Sequence, residues 1–163
     1  LSESFSDVFG TAIEFYAKPD SANWLIGDEI TINGLGIRSM ADPNAYGDPD
    51  TYLGTNWYTG TGDNGGVHTN SGVQNYWFYL LSLGGTGTND LGNGYSITGI
   101  GIDKAGQIAY RTLTRYLTNT SQYADARFYS IQAAIELVWR LFPGGHSNYQ
   151  RLVCGGCGKQ LYA

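Results

Sequence analysis

The chain has 163 residues, the size of one ordinary domain or of part of a larger protein. Its 9 basic and 14 acidic residues give a net charge of -5, which excludes a nucleic-acid partner and an anionic-membrane partner, because both require a basic surface. No run of apolar residues approaches the roughly 18 that a membrane span requires.

The first predicted element is a helix over residues 1–17, where apolar residues recur at steps of three and four. The helix starts at once, without an N-cap, and the sequence has neither an initiator methionine nor a leader peptide. We therefore expect the chain to begin inside a longer helix of a larger protein. Few charges, 24 glycines, 13 tyrosines and only two cysteines are typical of a secreted bacterial protein, so secretion is the localisation we expect.

A long loop over residues 18–66 is rich in Gly, Asp, Asn and Pro, and it includes one short predicted strand at Glu29–Asn33. Loops this long inside a domain are usually functional or disordered, and the interspersed aromatic and aliphatic residues favour a packed functional loop. Further helices are predicted over 67–83, 102–117 and 123–139, with a turn-rich break over 84–94. No segment alternates as a longer strand does, so we expect a mainly α domain with one long functional loop.

Three carboxylates of the first helix, Glu3, Asp7 and Glu14, lie within about 40° of each other on one face. The helix around them is apolar, and a buried carboxylate requires a partner because an unpaired buried charge is costly. One interpretation is a solvated acidic face, which is the common case. The other is a metal site, where one carboxylate binds the ion and another orients a neighbouring ligand.

His68 follows a glycine-rich turn in the string DNGGVHTNSG. Asp63 can fold back to accept a hydrogen bond from the imidazole, which would favour the protonated ring and make it a proton donor near pH 7. The alternative is a turn aspartate and a capping histidine with no catalytic role. Arg38, a lone cation among apolar neighbours, either pairs with an acidic residue or binds a substrate oxygen.

Eight strings, in order over residues 1–137, resemble the C-terminal domain of the thermolysin-like zinc metalloproteases. They are SESFSD, IEFYA, NWLIGDEI, IRSM, DPNAYGDPDTY, YTGTGDNGGVHTNSG, TGIGIDKAGQIAYRTLTRYL and TSQYADAR. The resemblance implies an orthogonal helical bundle and a hydrolase that cleaves peptide bonds in peptide or protein substrates.

The resemblance also implies a role for each matching residue. Glu3 is expected to be the third zinc ligand, and Asp7 the acid that orients a zinc-binding histidine. His68 is expected to stabilise the tetrahedral intermediate, with Asp63 as its partner, while Arg38 binds a substrate carbonyl. An apolar primed-side pocket for bulky hydrophobic residues is expected from Ile26, Gly27, Ile30 and Ile37.

A calcium site is implied as well. The expected ligands are the carboxylates of Glu14 and Asp28 and the backbone carbonyl of Leu25, because calcium prefers hard oxygen ligands. The calcium-binding aspartate of the family is replaced by Asn23, and one residue is inserted before it, where Asp20 is a candidate substitute. Calcium is therefore a weaker expectation than zinc.

The HExxH motif is absent from the chain, and zinc requires about three protein ligands. The other histidine, His146, is not at ligand spacing, so we expect two zinc ligands and the general base to lie in an N-terminal domain that precedes Leu1. On this interpretation the chain is one half of a secreted zinc endopeptidase and is inactive by itself. The alternative is a non-catalytic peptide- or calcium-binding module derived from the same domain.

The family pattern ends near residue 137, and we expect residues 138–163 to form an aberrant tail. Shifted by one base, codons for the string LVCGGCG can encode WYAVGV, which matches the usual family ending. We therefore expect a one-base frameshift near Val138, which makes Cys154 and Cys157 accidental. The competing interpretation is half of a zinc ribbon or a redox pair, although a single CxxC is a weak signal.

Overall fold

The computed structural model describes the backbone of residues 1–141 and the side chains of residues 1–137. Helices dominate this part of the chain, which confirms the predicted mainly α fold. The helices are α1 (Ser2–Ala17), α2 (Asp63–Gly66, a single turn whose inner residues do not have helical φ and ψ), α3 (Gly72–Leu83), α4 (Ile102–Arg115) and α5 (Tyr123–Leu141). Two antiparallel pairs of strands join β1 (Leu25–Ile26) to β2 (Arg38–Ser39), and β3 (Gly84–Thr88) to β4 (Gly94–Thr98).

The core forms where α3 packs against α1 and α4, and where α4 packs against α5. The apolar residues of α3 recur at helical spacing and face inward, as the sequence predicts. Alanines on α4 and α5 let these helices approach closely. The fully or nearly fully buried core side chains include Phe5, Val8, Met40, Val73, Trp77, Phe78, Leu80, Leu81, Ala105, Ile108, Ala109, Ala133 and Ala134.

The hairpin of β3 and β4 was not predicted, because the sequence pattern indicated only a turn-rich break. Its strands pair from Gly84 opposite Thr98 to Thr88 opposite Gly94. A Cβ on Gly99 would lie 2.3 Å from the carbonyl carbon of Leu83, so only glycine permits this close backbone approach. In β3, glycines replace the alternating apolar residues that normally reveal a strand, and β4 has only Tyr95 and Ile97 at alternating positions.

The predicted strand at Glu29–Asn33 is wrong. Residues Asp28–Ile30 form a 3-10 turn, and the short strands lie on either side of it at β1 and β2. Gly27, which precedes the turn, has φ 76°, a left-handed conformation that favours glycine. The chain therefore turns where we expected an extended segment.

The predicted helix over 67–83 begins five residues late, at Gly72. The segment before it is held in turns, because the Ser71 hydroxyl donates to the backbone carbonyl of His68 (2.6 Å). The predicted ends of the next two helices lie within two residues of the observed ones. The expected frameshifted tail, with Cys154 and Cys157, lies outside the described residues, and the boundary at residue 137 stays a prediction.

None of the helices in the described part of the chain is long and apolar enough to cross a membrane.

One buried side chain conflicts with its surroundings. Gln74 on α3 is 1% exposed, yet neither its amide nitrogen nor its amide oxygen has a hydrogen-bond partner among the described residues. An unsatisfied buried polar group costs about 1–3 kcal/mol. Gln74 therefore lowers the stability of a helix that is otherwise apolar on its inner face.

We expect Gln74→Leu to raise the free energy of unfolding by about 1 kcal/mol or more, because it removes two unsatisfied polar atoms without leaving a cavity. Urea unfolding of the protein that carries this domain measures the change. The matched control is Asn75→Leu, which removes the neighbouring buried amide. Asn75 has partners, so its substitution should lower stability, and a loss in both variants would contradict the prediction.

Candidate functional site

The loop that carries His68 has an unusual backbone. Asp63 and Asn64 have φ values of 50° and 48°, and the next two glycines also have positive φ. Such left-handed residues in sequence cost free energy unless the surrounding structure holds them. The loop closes on Tyr58, since a Cβ on Gly66 would lie only 2.6 Å from the Tyr58 ring.

Asn70 fixes this loop, a role that the sequence analysis missed. Its side chain is 7% exposed. The amide oxygen accepts from the backbone N–H of Tyr58 (3.0 Å), and the amide nitrogen donates to the carbonyls of Tyr58 (3.0 Å) and Gly65 (3.3 Å). An asparagine next to a glycine-rich turn is the only sequence signal for this function.

Asp63 and His68 form the pair that the sequence predicts. His68 Nδ1 donates to Asp63 Oδ1 (2.6 Å), and the His68 backbone N–H donates to Asp63 Oδ2 (2.9 Å). The hydrogen bond and the negative charge of Asp63 raise the pKa of His68 above its usual value. The pair therefore favours the protonated, proton-donating imidazole, with a fixed ring orientation.

The second ring nitrogen of His68 faces α1. Its Nε2 lies 3.3 Å from Glu3 Oε2, and both side chains are partly exposed. Tertiary packing thus brings together two predicted site residues that are distant in sequence. An exposed imidazole N–H and a carboxylate, side by side at the surface, can contact one bound molecule at adjacent atoms.

Asp7 and Arg38 form a buried ion pair. Arg38 Nε donates to Asp7 Oδ2 (2.9 Å), and one terminal nitrogen of the guanidinium donates to Asp7 Oδ1 (2.8 Å). The solvated-face interpretation is therefore wrong for Asp7, which is 7% exposed. Of the two alternatives for Arg38, the structure shows the pairing with an acidic residue.

A second carboxylate lies near this pair. Burial and the charge of Asp7 raise the pKa of Asp48 to about 6, against the opposing effect of Arg38. One guanidinium thus faces two carboxylates, and only Asp7 makes the bidentate contact. No local sequence pattern indicates that Asp48 lies near this pair.

The expected calcium ligands lie together, but their contacts are internal. Asn23 donates from its amide nitrogen to Asp28 Oδ2 (2.8 Å), and its amide oxygen accepts from the Leu25 backbone N–H (2.7 Å). Burial and the charges of Asp28 and Glu29 raise the pKa of Glu14. Asn23 therefore presents an N–H group where the family pattern has an acidic ligand.

Among the described residues, no group of three or more His, Cys, Asp or Glu side chains is placed to hold a metal ion. Glu3 is one carboxylate, whereas zinc requires about three protein ligands. The calcium cluster has two carboxylates and an amide whose oxygen is already occupied. The side chains of residues 1–137 therefore do not form a complete site for either ion.

The predicted primed-side pocket is a partly exposed apolar patch. A Cβ on Gly27 would lie 3.4 Å from the Ile37 side chain and 3.5 Å from that of Ile30, so these three residues share one surface. Ile30 and Ile37 are 81% and 53% exposed. Ile26 differs, because its side chain packs against the core.

Comparisons with known proteins agree with this architecture. The family model for the alpha-helical domain of thermolysin metallopeptidase matches residues 1–150. The chain is 50% identical over 140 residues to thermolysin of Alicyclobacillus acidocaldarius and to bacillolysin of Bacillus caldolyticus, covering 84% of this chain and 24% of each relative. It is 37% identical over 150 residues to a transglutaminase-activating metalloprotease of Streptomyces mobaraensis, covering 84% of this chain and 19% of that protein. The chain thus spans about a quarter or less of the length of these relatives.

We expect Asp48 to make stability depend on pH. Its folded pKa of about 6 lies above the ordinary value of 3.8, so the folded state holds the proton more tightly and stability falls as pH rises between about 4 and 6. Asp48→Asn should therefore raise the melting temperature at pH 7 and leave it unchanged at pH 4.

Thermal unfolding of the protein that carries this domain, measured across that pH range, tests the expectation. An Asp48→Asn protein that is no more stable at pH 7 would contradict the pKa assignment.

Proposed function

Because the chain belongs to the thermolysin metallopeptidase family as its α-helical domain, we propose that it is the C-terminal half of a zinc-dependent endopeptidase. The observation that carries the proposal is the position of His68 Nε2, 3.3 Å from Glu3 Oε2, with Asp63 behind the ring. A proton donor next to the expected metal ligand suits the hydrolysis of a peptide bond.

In this proposal, Glu3 contributes one zinc ligand, and the remaining ligands with the general base come from an HExxH-bearing part of the protein. His68 donates a hydrogen bond to the oxyanion that develops on the scissile carbonyl, which is where such a donor is most effective. Asp63 supports it by favouring the charged ring. Arg38 binds a substrate carbonyl from its anchored position on Asp7.

The exposed apolar patch of Gly27, Ile30 and Ile37 supports a primed-side pocket for bulky hydrophobic residues. Exposed apolar surface of this kind marks binding sites more often than ordinary surface. Secretion and a calcium requirement belong to the same proposal. Calcium would use Glu14, Asp28 and the carbonyl of Leu25, with additional ligands supplied from elsewhere.

A non-catalytic module that binds peptides or calcium is the second candidate. The internal hydrogen bonds of Asn23 argue against a calcium-binding module, because they occupy the amide at the position where a calcium ligand is expected. A non-catalytic module has no need for His68, Asp63 and Glu3 in one cluster. The gene sequence upstream of Leu1 distinguishes the candidates by the presence or absence of HExxH.

We expect the 163-residue chain by itself to bind no stoichiometric zinc and to cleave no casein, because it offers one carboxylate where about three ligands are needed. Elemental analysis of the purified chain and a casein assay with and without a chelator provide the measurements. One zinc per chain, or chelator-sensitive cleavage, would contradict the expectation.

In the complete protein, we expect Glu3→Ala to abolish peptidase activity through loss of zinc. We expect His68→Ala to lower kcat by roughly 10² or more while zinc stays bound, the usual effect of losing one oxyanion donor. Zinc content and steady-state kinetics are measured on both variants. Equal zinc loss in the two variants would show that the two roles are assigned wrongly.

A further inference from the structure

The amide of Asn75 lies at the centre of a buried chain of hydrogen bonds that joins three elements. The Ser4 hydroxyl on α1 donates to Asn75 Oδ1 (2.7 Å), and Asn75 Nδ2 on α3 donates to Asp7 Oδ2 (2.8 Å). Arg38 on β2 completes the chain through its two bonds to Asp7. Ser4 and Asn75 are both 0% exposed, so water does not compete for these bonds.

The acceptor sites of Asp7 show what Asn75 does. Each carboxylate oxygen accepts about two hydrogen bonds. Oδ2 receives Arg38 Nε and Asn75 Nδ2, so both of its positions are used. Oδ1 receives only the terminal guanidinium nitrogen among the contacts described, and it keeps one position for a further donor. Asn75 therefore fixes the rotation of the carboxylate and leaves one defined acceptor position open.

The orientation of Arg38 depends on that rotation. A bidentate guanidinium–carboxylate pair is planar, so a turn of the Asp7 carboxylate turns the guanidinium with it. β2 is two residues long and, within the described part of the chain, pairs with the two residues of β1, so the sheet adds little restraint. The negative charge of Asp48 also acts on Arg38, although Asp7 is the carboxylate that is hydrogen-bonded to it.

We propose that Asn75, held by Ser4, is a positioning residue that fixes the Asp7 carboxylate and thereby orients the Arg38 guanidinium toward the substrate carbonyl. The inference rests on the proposed function, because it takes Arg38 as a substrate-binding group. It adds two residues, Asn75 and Ser4, to which neither the sequence pattern nor the family resemblance gives a role in activity.

Steady-state kinetics of the complete protein test the proposal. Asn75→Leu should raise KM about tenfold or more, since a hydrogen bond to a charged group is lost, while kcat changes less than about threefold. Ser4→Ala, a milder change, should raise KM about threefold. A purely structural defect would instead lower the active fraction, and with it kcat, at constant KM.

A double-mutant cycle with Arg38→Met tests whether Asn75 affects KM through Arg38. If Asn75 acts through Arg38, then Asn75→Leu should change KM less than about twofold in the Arg38→Met background. The proposal would be overturned if the increases in KM of the two single variants multiplied in the double variant. The control is Ser82→Ala, which removes another buried hydroxyl, bonded to the Phe78 carbonyl at the far end of α3, and should leave KM unchanged.

Crystal structures of the Asn75→Leu and Ser4→Ala proteins give a readout that does not require activity. We expect the bidentate contact between Arg38 and Asp7 to be broken or rotated in both. An unchanged contact overturns the positioning role, even where the protein is an active peptidase. If the unsubstituted protein hydrolyses no peptide, the proposed function is rejected. The contact between Arg38 and Asp7 in the variant structures then still tests the positioning role of Asn75.

Discussion

The burial of Asp7 is the constraint on which the rest of the site depends. A carboxylate removed from water costs several kcal/mol unless charged and polar partners replace its hydration. Those partners come from two other elements, since Arg38 lies on β2 and Asn75 on α3. Pairing the buried charge of Asp7 therefore holds the long loop, α1 and α3 in a single arrangement.

The loop that carries His68 also depends on the hydrogen bonds of one buried polar side chain. Its left-handed residues are strained, and the side chain of Asn70 holds them by hydrogen bonds to the backbone carbonyls of Tyr58 and Gly65. The loop in turn carries His68 to Glu3, on the first turn of α1. Backbone strain thus accompanies the residues proposed to act on substrate, which is where strained backbone is most often found.

Prediction from the sequence succeeded where apolar residues repeat with a helical period, and it failed where the backbone conformation depends on glycine. The long helices were found with ends within two residues, except that α3 begins five residues later than predicted. The hairpin was missed because β3 is mostly glycine and β4 has only two apolar residues at alternating positions. The strand expected at Glu29–Asn33 was wrong, since the left-handed Gly27 introduces a 3-10 turn there. Two isoleucines at alternating positions, Ile30 and Ile32, do not distinguish an extended segment from an exposed turn.

The sequence by itself determined the helical core, the acidic stripe of α1 and the pairing of Asp63 with His68, which are five residues apart. Each of these is a local pattern that periodicity or a tight turn specifies. Only the tertiary structure decided that Arg38 pairs with Asp7, that Asn75 completes the pair and that Glu3 faces His68. These contacts join residues that lie 31 to 71 positions apart on separate elements, so no local preference encodes them. They form because buried charges and amides must find partners once the core has packed.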